Sequence, residues 1–323
     1  MSFPGRQDLP AFEDLPLRKG DPQISAWGLW DNSQLGSLNY LTDETVKKTA
    51  KDEIQTGIRV GLNLPLDFIE PAFLGRTPFK KEILDKRPKA IVNDDLITFN
   101  TQGSAQWDSF RHFAYQSHGT FYNGATMDDV HGDPKSTLNG LDAWAAKGIA
   151  GRGVLVDYYD WAQENGIKYD EFTNHPIPVE HVKKIIAEKK ITINQGDIFF
   201  LRTGFVRAYG KLNQEDREMV SKRWGYVGLG QSEEAARWLW KSQFAAVVGD
   251  NVAFEASPNT IDPKWHMHPI LLAGWGTPIG ELFDLEALAA TCKKLGRWTF
   301  FVSSAPLNYT GAVASPPNAI AFF

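Results

Sequence analysis

The segment from Thr98 to Asn123, TFNTQGSAQWDSFRHFAYQSHGTFYN, is the richest in side chains that could do chemistry. Read as a strand, it places Gln102, Ser104, Gln106 and Asp108 on one face, because alternate side chains of an extended chain point the same way. His112 follows Asp108 by four residues, so a helical turn would bring carboxylate and imidazole together. A row of oxygen donors beside an imidazole suits a hard metal ion or a general base. An exposed sheet face with an ordinary surface histidine would carry the same residues. A second cluster is Trp265-His266-Met267-His268-Pro269. Pro269 favours extended geometry at His268, which would put His266 and His268 on one side of the chain. Further on, Glu281 lies within Pro278-Ile279-Gly280-Glu281-Leu282. Buried among those apolar neighbours, its carboxylate would need a metal, an arginine or a histidine as partner.

Other familiar chemistries are missing from the sequence. It contains no G-x-S-x-G nucleophile elbow, no phosphate-binding G-x-x-x-x-G-K and no H-E-x-x-H. Gly274-Trp275-Gly276 is followed by Pro278, where a dinucleotide-binding turn would open a helix. Cys292 is the only cysteine, which excludes an intrachain disulfide and a cysteine-rich zinc site. It falls in an apolar helical stripe and reads as a buried thiol. A reducing, cytoplasmic compartment fits this usage.

Positioning those groups needs a scaffold, and the hydrophobic pattern supplies one. Residues 153–157, 197–203, 244–250 and 298–304 are apolar runs of strand length. Helices are expected between them. One follows Pro178, with Val179, Val182, Ile185 and Ile186 inward; one is capped by Ser232, with Ala235, Trp238 and Leu239 inward. A third is capped by Asp284, with Leu285, Leu288, Ala289 and Cys292 inward. Strands alternating with helices indicate an α/β domain. Residues 1–26, with Pro4, Pro10, Pro16 and Pro22, read as an extended arm, and 27–323 as one catalytic domain. The chain has 323 residues, 42% hydrophobic and 23% charged, with a net charge of −5, so it is a globular chain with no basic surface for nucleic acid. No run approaches the roughly 20 apolar residues of a membrane span, and the N-terminus lacks a signal-peptide core. Aromatic residues are abundant, with 20 Phe, 11 Trp and 9 Tyr. Trp107, Tyr122, Trp265 and Trp275 lie near the polar clusters in sequence and are candidates for an aromatic substrate wall; core packing is the competing reading of each ring.

The run Gln102-x-x-x-Gln106-Trp107-Asp108-x-x-x-His112 resembles the metal-site motif H-x-G-T-H-x-D-x-P-x-H of the cyclase-family hydrolases, which include bacterial kynurenine formamidase and isatin hydrolase. Trp30-Asp31, Gly36 and Leu38-Asn39-Tyr40-Leu41-Thr42 are similar to that family's opening segment. Asn194-Gln195-Gly196-Asp197 with Leu201-Arg202-Thr203-Gly204 is similar to its central "GD…RTG" stretch. His268 and Ile279-Gly280-Glu281 match its "H…E" pair, and Pro306-Leu307, Thr310-Gly311 and Ser315-Pro316 its C-terminal strand and loop. The resemblance implies a swivelling β/β/α-like single domain, with a mixed sheet or barrel-like core flanked by helices. It implies that Asp108 holds or bridges metal, that His112 is the general acid/base, and that His268 and Glu281 are distal ligands. Gln102 and Gln106 stand where the family has histidines, as in a Q…QWD branch of bacterial and fungal relatives. A carboxamide oxygen is a harder, weaker ligand than imidazole, so manganese or magnesium is favoured over zinc, and a metal-free site is an alternative.

Three functions follow as expectations. The first is a hydrolase of an amide or lactam-type C–N bond in an aromatic small molecule, with metal held by Asp108, His268, Glu281, Gln102 and Gln106 acidifying a water, and His112 moving the proton. The second is a metal-independent lyase, cyclase or isomerase of secondary metabolism, in which His112 works with Asp108 or Glu281. Convergence of these residues with hydrogen-bonded glutamines would favour it. The third is a binding protein on a decayed hydrolase scaffold. The apolar tail Ala319-Ile320-Ala321-Phe322-Phe323 suggests a homodimer or higher homo-oligomer, with the tail or the arm at the interface; a tail tucked into its own core is the alternative.

Overall fold

The chain, described here by a computed structural model over residues 9–259 and 262–323, is built on a nine-stranded mixed sheet that curls as a half-barrel. In spatial order its strands are Arg59–Gly61, Ala319–Phe322, Thr299–Ser304, Ile149–Asp157, Ile198–Arg202, Ala246–Gly249, Ile279–Glu281, Gln106–Asp108 and Ala314–Ser315. The four from Ile149–Asp157 to Ile279–Glu281 run parallel. Val154–Val156, Ile198–Leu201 and Ala246–Val248 are buried throughout, as parallel strands covered on both faces must be. All four expected strand segments are strands.

The expected helices also form. Val179–Glu188 follows Pro178 and buries Val179, Val182 and Ile185. Glu233–Ser242 begins at Ser232, whose hydroxyl accepts the Ala235 N–H at 3.1 Å. It buries Ala235, Ala236, Leu239 and Trp240, with Trp238 only half-buried. Glu286–Leu295 starts two residues after Asp284, which accepts the Glu286 N–H, and it buries Leu288, Ala289 and Cys292. No helix among the described residues is long and apolar enough to cross a membrane.

The tail and the arm go to this chain's own body. Ala319–Phe322 is a strand between Arg59–Gly61 and Thr299–Ser304, burying Ala319 and Ala321, while Phe323 is fully buried. Alternation inward and outward is what a strand requires, so Ala319 and Ala321 pack into this chain's own core while Ile320 faces outward. From Leu9 onward the arm also packs inward. Phe12 stacks on Trp265, and the Pro10 carbonyl accepts the Trp240 indole N–H at 2.9 Å. Residues 1–8 lie outside the described residues.

The family-like central segment forms a buried brace. Arg202 donates to both Asp157 oxygens at 2.9 and 3.0 Å and to both Glu286 oxygens at 2.8 and 2.9 Å. Asp250 takes the N–H and hydroxyl of Thr203 on one oxygen and the Gly204 N–H on the other. Gly204 has φ +85°, and a Cβ there would stand 2.2 Å from the Tyr159 ring, so only glycine fits.

Candidate active site

Gln106 and Asp108 occupy one short strand, on the same face, as alternation predicts. Antiparallel pairing sets Gln106 opposite Glu281 and Asp108 opposite Ile279. The strand begins only at Gln106. Residues 101–105 turn instead, carrying Gln102 into the cluster but sending the Ser104 hydroxyl away to the Pro65 carbonyl at 3.0 Å. A tight turn, with the His112 N–H bonded to the Ser109 carbonyl, brings His112 back toward Asp108. His268 departs from expectation. It lies in the helical turn Met267–Pro269 that continues into a π-helix, Ile270–Trp275. Pro269 sits in that first turn, where its missing N–H leaves no bond unmade. His266, not His268, is the extended residue, yet both histidines face one carboxylate, Glu255.

The resulting cluster joins four parts of the chain. Asp108, Glu255, Glu281 and His268 are all buried. His268 Nδ1 bonds Glu255 Oε1 at 2.7 Å, and its Nε2 stands 3.2 Å from Glu281 Oε1 and 3.7 Å from Asp108 Oδ2. His266 Nε2 lies 3.5 Å from the same Glu255 oxygen. Gln106 donates to Glu281 at 2.6 Å and to the Gln102 side-chain oxygen at 3.1 Å. Gln102 donates to Asp108, and its amide nitrogen lies 3.2 Å from His112 Nδ1. Asp108 and the Gln106 amide fix the Gln102 nitrogen as the donor, so Nδ1 of His112 accepts and Nε2 carries the ring hydrogen.

Charge in this cluster is distributed unevenly. Burial opposes ionisation of Asp108, but the imidazoles of His112 and His268 outweigh it and hold its pKa below the usual range. Glu255 is lowered in the same way by His268 and His266 against burial. Glu281 is raised to about 7, by burial and by the charge of Asp108. Burial would lower His268, but Glu255 foremost, with Asp108 and Glu281, holds it well above its ordinary value. His112 is lowered by burial, helped by His268 and Arg76 and opposed by Asp108, so it is a neutral imidazole suited to take a proton.

These groups open on a cavity of about 270 Å³ whose walls include Arg76, Phe113, Trp224, Tyr226 and Val252. None of the four rings expected to form the aromatic wall lines it. Trp107 points to the opposite face of its strand, donating to the Ser304 hydroxyl at 2.9 Å, as its position between Gln106 and Asp108 requires. Tyr122 packs on Phe110, Trp265 stacks on Phe12, and Trp275 bonds the Ile24 carbonyl and packs on Trp240. All are core. The aromatic residues at the cavity are Phe113, whose ring lies 5.3 Å from that of His268, with Tyr226 and the exposed Trp224. Glu255 was also not anticipated, although a carboxylate within Val252-Ala253-Phe254-Glu255-Ala256 meets the same burial argument as Glu281.

Four buried oxygens of this cluster have no hydrogen-bond partner: Gln106 Oε1, Asp108 Oδ2, and Glu255 Oε2 and Glu281 Oε1 on the two carboxylates that line the cavity. Unsatisfied buried acceptors are costly, and a cation would satisfy them. Asp108, His112 and His268 each offer a ligand atom, all within 4.8 Å of one another. The donor set is mostly oxygen with imidazole, so the residues present fit a hard divalent cation.

The family model described as "Putative cyclase" matches residues 22–256. A crystal structure described as a novel cyclase is 30% identical, covering 93% of this chain and 99% of that one, with a TM-score of 0.81. Isatin hydrolase A from Ralstonia solanacearum is 15% identical, covering 82% of this chain and 91% of that one, with a TM-score of 0.57. An isatin hydrolase bound to the product analogue thioisatinate is 13% identical, covering 85% and 94%, with a TM-score of 0.59. The two isatin hydrolases are likenesses of fold. No curated protein sequence matches significantly.

Proposed function

This chain belongs to the cyclase family, and we propose that it is a hydrolase that opens an amide or lactam C–N bond of an aromatic small molecule. The observation that carries the proposal is the set of four buried oxygens without a hydrogen-bond partner, in one cluster with a neutral imidazole. Two of them are on Glu255 and Glu281, which line an aromatic-walled cavity with His112. Asp108, His268 and Glu281, with a glutamine oxygen, would hold a divalent cation, manganese or magnesium rather than zinc. Such an ion supplies Lewis acidity at the carbonyl and acidity to water. His112 takes a proton as the water oxygen bonds to the carbonyl carbon. It returns that proton to the leaving nitrogen as the C–N bond breaks, so the products are an amine and a carboxylic acid, which then releases its own proton to water. Glu255 holds His268 by its Nδ1 atom, which fixes the ring's other nitrogen toward the carboxylates.

A second reading rests on the glutamines. Their amide nitrogens already bond Asp108 and Glu281, an arrangement that suits a metal-independent lyase, cyclase or isomerase with His112 moving protons. The test is turnover of isatin and N-formylkynurenine by the full chain, with EDTA and with added Mn²⁺. Hydrolysis of either compound, abolished by EDTA and restored by Mn²⁺, is the expected result. Hydrolysis that EDTA leaves untouched contradicts the cation's part in the reaction, and no turnover of either compound with metal present contradicts the hydrolase and leaves the second reading standing.

A further inference from the structure

Arg76 sits on the cavity wall and is not ion-paired. Its guanidinium donates once, from Nη1 to the Gln102 carbonyl at 2.6 Å. Among the described residues no carboxylate forms a salt bridge with it, although Glu255 and Glu281 line the same cavity. Those carboxylates are engaged elsewhere: Glu255 with His268, Glu281 with Gln106. The contrast with other arginines is sharp. Arg152 is closed by Glu53, Asp197 and the Thr192 carbonyl, and Arg202 by Asp157 and Glu286. A guanidinium carries five N–H donors in a planar fork that matches a carboxylate. Four of those on Arg76 have no protein acceptor among the described residues. Three aromatic rings, Phe113, Trp224 and Tyr226, line the same cavity.

We propose that Arg76 is a substrate anchor that receives a carboxylate on a small aromatic molecule lying in this cavity. The anchor deepens the hydrolase reading, since it names the substrate as an aromatic acid, but binding can be tested apart from hydrolysis. A cavity of about 270 Å³ holds one or two fused rings with a short substituent. An acid bound with its carboxylate on Arg76 lies across Phe113 and presents its remaining substituent toward Asp108, His112 and His268. The fork fixes one end, and the rings exclude water from the faces. The anchor predicts selection for aromatic acids over their neutral amides.

The probes are anthranilate and its neutral isostere anthranilamide, titrated by fluorescence into the full chain. EDTA is present first, so that no metal competes for the carboxylate, and the titration is repeated with Mn²⁺. Anthranilate should bind about tenfold or more tightly than anthranilamide, as charge-assisted bidentate bonds require. Arg76→Gln should erase that preference while leaving anthranilamide affinity unchanged, which also reports an intact cavity. Arg76→Lys should retain part of it. Equal binding of the two probes, no binding of either, or equal loss of both in Arg76→Gln would overturn the anchor. A chain that selects anthranilate through Arg76 yet hydrolyses no amide or lactam upholds the anchor and removes the hydrolase reading.

Discussion

Two of the buried polar clusters in this fold differ in a way that separates structure from chemistry. Around Arg202, every oxygen of Asp157, Asp250 and Glu286 has a donor. Around His268, four oxygens have none and a cavity lies alongside. Both clusters contain ionisable groups taken out of water, which is expensive in either place. The first offsets the cost with its own hydrogen bonds. The second is left incomplete by the chain, as the proposed cation site requires. Completeness of hydrogen bonding, more than burial or charge, distinguishes them.

Substitutions that trade stability against turnover probe the contrast. His112→Ala should reduce turnover by about two to four orders of magnitude, the usual contribution of a general acid/base, with the melting temperature nearly unchanged. Near-normal turnover would make His112 structural and blur the distinction. Arg202→Ala should do the opposite. Removing one member of a buried ion cluster leaves the others unpaired, so the fold should lose about 3–5 kcal/mol in chemical denaturation. The molecules that remain folded should keep their activity. A small stability loss would mean the brace is not a brace.

A pH series sharpens the comparison. Glu281 is raised from 4.5 to about 7 by burial and the Asp108 charge. Between those values the folded chain holds a proton on Glu281 that the unfolded chain has released. Stability contributed there is therefore lost as pH rises. With EDTA present, wild-type stability relative to Glu281→Gln should decline as pH rises across that window and level off above it. Parallel curves for the two proteins would show that Glu281 pays no burial penalty. The smallest effect is expected from Gln102→His with Gln106→His. Imidazoles in both places should raise zinc affinity by about tenfold or more, read by competition with a chelating dye. Unchanged zinc affinity would place the glutamines outside the ligand shell.

Much of this site was legible as pattern, and the limits of the pattern are instructive. Alternation found Gln106 and Asp108, and burial chemistry found Glu281 a partner. The same alternation carried information about Trp107, which must face away from its two neighbours, so proximity in sequence misled where period would not have. Gln102 arrives through a turn, and no two-residue period extends across a turn. The tail's strand was written in its alternating alanines, Ala319 and Ala321 inward and Ile320 half-exposed. Arg76, Phe113, Trp224 and Tyr226 meet only because three distant loops converge on one cavity. Local spacing carries no signal for that convergence.

The central claim is that the cluster around His268 is incomplete because it binds a divalent cation. Its most direct test is calorimetric titration of Mn²⁺ into the EDTA-stripped full chain. One ion per chain should bind, with binding lost in Asp108→Asn and retained in Arg76→Gln, whose side chain is no ligand. Absence of stoichiometric binding by Mn²⁺, Mg²⁺ and Zn²⁺ alike, or binding that survives Asp108→Asn undiminished, would contradict it.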